Sequence, residues 1–176
     1  MSWSELLHRE LKSAYAVTDG LMGLVDDSVL DWKPSPENNW MTTGQLLMHL
    51  TNACGACFKG FVTGDWGLPE GVDLSKLPPE EMLTPAEKMP TVGSVAEARK
   101  LLAEDRQTAF DMLESVSEEE LANRKVAAPW SPVEQILGHY LLDMTGHLKQ
   151  HKDQLFYYLK LQGKPVNTVH LYGMPG

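Results

Sequence analysis

The stretch from Ser131 to Gln162 constrains the fold more than any other part of the sequence. Ser131 suits an N-cap, Pro132 the first helical position, and Glu134 closes a capping box. No breaker follows until Gly163, a C-terminal stop with Pro165 behind it. At 1.5 Å per residue the expected helix is roughly 45 Å long.

Three further segments share its periodicity. From about Ser2 to Leu30, the residues Leu7, Leu11, Ala14, Thr18, Leu21 and Val25 recur at helical steps, and Ser2 with Glu5 has capping-box spacing. From Thr42 to near Gly64, Thr42 with Gln45 repeats that spacing before a stripe of Leu46, Leu50, Ala53 and Cys57. The third segment is capped by Ser94 with Glu97 and continues through Val95, Ala98, Leu102, Asp105, Ala109, Met112 and Val116. Strand signals are poor, because no stretch alternates apolar and polar residues for long.

The connection from Asp65 to Gly93 contains Pro69, Pro78, Pro79, Pro85 and Pro90, which makes it a long crossover and not a tight turn. A short turn is expected at Ser117 to Leu121, then a loop from Ala127 to Trp130. The architecture read from these signals is all-α: a four-helix bundle with a long crossover between helices 2 and 3, one domain spanning residues 1–176. WMTTGQLLMHL also aligns with WSPVEQILGHY, matching Trp40 to Trp130, Gln45 to Gln135 and His49 to His139. Two explanations are open, pseudo-symmetry between segments two and four or chance similarity of helix starts.

Composition narrows the partners. The 176 residues carry a net charge of −9, which disfavours nonspecific attraction to nucleic acid or anionic lipid. Hydrophobic residues make up 43% and charged residues 22%, an ordinary globular balance without an apolar run long enough for a span. The two cysteines, Cys54 and Cys57, rule out a disulfide framework and suit a reducing compartment. MSWSELLHRE has no basic region followed by an apolar core, so the expected location is cytoplasmic.

His147 and His151 lie four residues apart, one helical turn, a spacing that can chelate one cation. The alternative is a pair of surface histidines. The stripe Tyr140, Met144, His147, His151, Leu155 and Tyr158 places them on the core-facing side, and His49, beside Leu46, Leu50 and Ala53, offers a third inward imidazole. Three neutral histidines with open positions suit zinc, nickel or another divalent transition metal better than calcium or magnesium.

With Trp40 and His49 leading the second helix, and His147, His151, Lys152, Gln154, Leu155 and Gly163 in the last, the sequence resembles the DinB/YfiT-like family of bacterial four-helix metalloproteins. Asp153 departs from the glycine many members carry, and leaves the histidines untouched. The resemblance implies a divalent metal held by His49, His147 and His151. It also implies, for some members, thiol transfer with mycothiol, bacillithiol or glutathione.

Other residues carry paired readings. Asp143, four before His147, is either an outer partner of its ring N–H or an exposed helix acid. His139 shares the His147 side two turns earlier, and Asp105 either faces the site or, the favoured reading, lies at the bundle rim. His8 and His170 are read as surface residues, and Met22, Met48, Met112 and Met144 as packing. Cys57 is read as a small core residue, the C-x-x-C pair as without redox or zinc function, and Trp40 and Trp130 as closing the bundle end. The favoured function is a metal-dependent transferase adding a low-molecular-weight thiol to a small electrophile. Metal-assisted hydrolysis and a noncatalytic stress-response module with a structural metal are the alternatives, and a homodimer is the assembly to be tested.

Overall fold

The computed structural model describes residues 1–69, 71–72, 76–77 and 84–174. The helices are α1 (Trp3–Met22), α2 (Thr43–Leu50), α3 (Gly55–Thr63), α4 (Val95–Glu114), α5 (Glu118–Asn123), α6 (Leu137–Leu161) and α7 (Thr168–Tyr172). Short 3-10 turns occur at Asp27–Val29 and Ala86–Lys88, and an antiparallel pair joins β1 (Lys125–Ala128) to β2 (Ser131–Ile136). Both α1 and α3 pack against α4 and α6, while α2 lies on α6. Leu7, Leu11, Leu46, Leu50, Phe58, Leu102, Leu141, Leu148 and Leu155 fill the space between them. Burying each such side chain contributes about 1.5–3 kcal/mol.

Several helix ends follow the local signals. Ser2 and Glu5 form the reciprocal box at α1, Thr42 and Gln45 at α2, and Ser117 and Glu120 at α5. Ser94 caps α4 through Glu97 N–H, but the Glu97 carboxylate turns to Gly93 N–H instead of completing a box. Gly163 sits at φ +81° after α6, a left-handed conformation natural to glycine.

The structure departs from several expectations, chiefly through tertiary contacts. The first helix stops at Met22, not Leu30, and Asp27 leaves the helix to accept Val95 N–H at 2.7 Å, capping α4 from outside. The second segment breaks after Leu50. The Asp105 carboxylate accepts the N–H groups of Gly55 and Ala56, both at 2.9 Å, and so starts a separate helix, α3. A Cβ on Gly55 would lie 2.0 Å from the Asp105 carbonyl oxygen, so only glycine permits this approach.

The last helix begins at Leu137, not Ser131, and the segment expected to be its first turn is β2. Residues 127–128, expected to be loop, belong to β1. Val126 pairs with Gln135 and Ala127 with Glu134, Leu137 N–H donates to Arg124 C=O, and the Tyr140 hydroxyl donates to Val133 C=O. An N-cap contributes about 1 kcal/mol, less than this set of long-range partners. Ser131 instead accepts the N–H of Val133 two residues on. The chain is therefore mostly helical, consistent with the all-α expectation, with one small two-stranded sheet added to it. Gln45 lies in a helix and Gln135 in a strand, so the proposed internal repeat has no structural counterpart at its start.

Within the crossover, Pro78 and Pro79 lie outside the described residues. Gly60 takes the face of Trp66, whose ring carbons would meet a Cβ at 2.3 Å. Trp66 and Trp130 join Phe61 and Tyr140 in one aromatic cluster, with Phe61 stacked on Tyr140 at 4.3 Å. Trp130 thus packs on the hairpin side of α3 and α6, still 40% exposed, and Trp40 is 37% exposed. Among the described residues no helix is long and apolar enough to cross a membrane.

Candidate metal centre

His49 projects from the last turn of α2, and His147 and His151 from adjacent turns of α6. All three are half-buried, and their ligand-capable atoms converge within 4.8 Å. His147 Nε2 lies 3.4 Å from His49 Nε2 and 3.0 Å from His151 Nε2. Two nitrogens each about 2.1 Å from a shared ion are separated by roughly 3.0–3.4 Å, from octahedral to tetrahedral angles.

The opposite ring nitrogens decide the tautomers. His147 Nδ1 faces the Ala53 carbonyl at 3.1 Å, and a carbonyl only accepts, so Nδ1 carries the proton and Nε2 is bare. For His151 the direction propagates along a chain. Met41 C=O accepts the Tyr158 hydroxyl at 2.9 Å, so the Tyr158 oxygen accepts from Gln154 Nε2 at 3.4 Å. That orientation turns Gln154 Oε1 toward His151 Nδ1, 3.0 Å away, which donates and leaves its Nε2 bare.

In these neutral tautomers two bare imidazole nitrogens face each other at 3.0 Å. Such lone pairs repel unless a cation lies between them, and the donor set fits a divalent transition ion. Protonation is the poorer remedy: burial, then the neighbouring imidazoles of His151 and His147, push His49 down to about 4. Burial also lowers His151, and His147 adds to the effect against the opposing Gln154 hydrogen bond. Neutral imidazole is the ligating form.

The remaining sequence candidates fall elsewhere. Asp143 is exposed, the second of its two readings, and the partner of His147 Nδ1 is Ala53 C=O, a backbone acceptor that side-chain spacing cannot reveal. His139 packs edge-on against Trp3 and contacts Gln135, outside the cluster. Asp105 is not a rim acid: it is 7% exposed and accepts from Tyr15 O–H at 2.7 Å as well as from the start of α3. Burial raises its carboxyl above the ordinary value, against the opposing hydrogen bonds of Tyr15, Gly55, Ala56 and Cys54.

His8 leans on Phe110, and His170 closes a capping box at α7. Cys54, not Cys57, is the fully buried cysteine, and burial raises its thiol far above the usual range. Cys57 is intermediate in exposure and pushed up to about 11, chiefly by burial. Neither joins the histidine cluster.

With the fold and the three-histidine cluster in view, comparison with known families gives one assignment. The sequence model described as the DinB superfamily matches residues 10–155. That span includes His49, His147 and His151, and the chain belongs to this superfamily. Comparisons with curated proteins and with solved structures gave no match.

Proposed function

We propose that the protein is a divalent-metal-dependent enzyme of the DinB-like type, with His49, His147 and His151 as ligands and zinc or nickel as the ion. The observation that carries this reading is the convergence of the ligand-capable nitrogens of His49, His147 and His151 within 4.8 Å of one another. In this reading α1, the interrupted rod α2–α3, α4 and α6 form the four-helix bundle of a single domain over residues 1–176. The crossover between α3 and α4 links the second rod to the third.

The proposed reaction is transfer of a low-molecular-weight thiol to a small electrophile, in the cytoplasm. The metal would supply Lewis acidity that favours the deprotonated form of a coordinated thiol. The chain's own part is to hold three nitrogens in place: Ala53 C=O fixes the ring of His147, and Gln154 fixes that of His151. Cys54 is sequestered and no cysteine lies in the cluster, so a sulfur ligand must come from outside. Soft thiolate is a good match for zinc.

Cobalt substitution tests this function. Adding a small thiol to the cobalt protein should produce a sulfur-to-metal charge-transfer band that is lost in His147→Ala. A spectrum that responds to hydroxide and not to thiol would replace thiol transfer by hydrolysis, and one that responds to neither would indicate a structural metal. A homodimer is the assembly proposed, and its mass in solution checks it.

A further inference from the structure

The acceptor that orients His147 is part of a turn whose own position is set from another helix. Ala53 C=O receives His147 Nδ1–H, and two residues later Gly55 N–H donates to Asp105 on α4. Between them Cys54 has φ −132° and ψ −63°, outside regular helix, and its side chain is fully buried. Asp105 accepts from Tyr15 O–H and Gly55 N–H on Oδ2, and from Ala56 N–H on Oδ1. A group that accepts on both oxygens and is packed against Gly55 leaves the turn little room to shift.

We propose that Asp105 is a positioning residue of the histidine centre: by pinning the start of α3 it sets the Ala53 carbonyl, which holds His147 in the tautomer whose Nε2 is free to bind a metal. Its consequence for metal affinity rests on the three-histidine reading, whereas its effect on the tautomer does not. The isosteric Asp105→Asn change puts an NH2 where one oxygen stood. Whichever way the amide turns, either Gly55 or Ala56 N–H then meets a donor, and the turn must move.

The test uses metal-free, 15N-labelled full-length protein. Long-range proton–nitrogen spectra report which nitrogen of His147 bears the proton, and zinc titration of the folded protein reports affinity. Wild type should show a single Nδ1–H tautomer. Asp105→Asn should show a mixture and bind zinc about tenfold to a hundredfold more weakly, the range for loss of a ligand-orienting partner.

Leu113→Ala separates positioning from general loosening. It removes a core side chain elsewhere on α4 and should leave tautomer and affinity unchanged. If Asp105→Asn does not fold, Gly55→Ala decides, since its methyl forces the turn away from Asp105 while every charge stays. An unchanged His147 tautomer in the folded variant overturns the proposal, as does an equal change in Leu113→Ala. Failure of wild type to bind zinc would end the metal reading, and the tautomer spectra would still decide the role of Asp105.

Discussion

Replacing His147 by alanine is expected to weaken zinc binding by two to three orders of magnitude. This ring is the geometric centre of the cluster, with one short approach to His49 and another to His151. Zinc held by four ligands in small folded peptides is worth roughly 10–16 kcal/mol, or about 2.5–4 kcal/mol per ligand if shared evenly. At 1.4 kcal/mol per factor of ten, losing one ligand costs about 10²–10³ in affinity. Calorimetric titration measures it directly. His49→Ala and His151→Ala should behave alike, while His139→Ala, which touches Trp3 and not the cluster, should match wild type. Undiminished binding in all three ligand variants would refute the assignment.

Metal loading should also raise thermal stability by about 8–16 °C, the second large effect. An ion bound by the folded state alone stabilises it by mass action, about 4 kcal/mol when free metal exceeds its dissociation constant a thousandfold. For a domain of 150–250 residues each kcal/mol moves the midpoint by about 2–4 °C. A bound ion would tie α2 to α6 through His49, adding to the packing of the two helices and the Gln162–Thr43 hydrogen bond. Melting curves with zinc and with chelator provide the measurement. The shift should vanish in His147→Ala, and a shift of equal size there would place the ion elsewhere.

The parts of this structure written locally were legible in the sequence. Ser2 with Glu5 and Thr42 with Gln45 act within one helical turn, and their boxes form as spaced. His147 and His151 share a helix face by periodicity alone. His49 came within reach of them because its flanking residues Leu46 and Leu50 bury the same side of α2 against α6.

What stayed hidden depends on partners distant in the chain. Nothing near Gly55 announces a helix start, because the cap is Asp105 on another helix. Ser131, Pro132 and Glu134 read as a helix start until Lys125–Ala128 supplies a strand to pair with. The same limit applied inside the centre. Spacing left Asp143 either a partner of His147 or an exposed helix acid; it is exposed, and the acceptor is the Ala53 carbonyl, which any residue type could provide.

X-ray absorption of the zinc-loaded protein, without added thiol, reads the three-histidine centre itself. The account predicts three imidazole nitrogens at about 2.0–2.1 Å, with light exogenous atoms completing the sphere. A first shell containing protein sulfur at about 2.3 Å, or one with fewer than three imidazoles, would contradict a centre built from His49, His147 and His151.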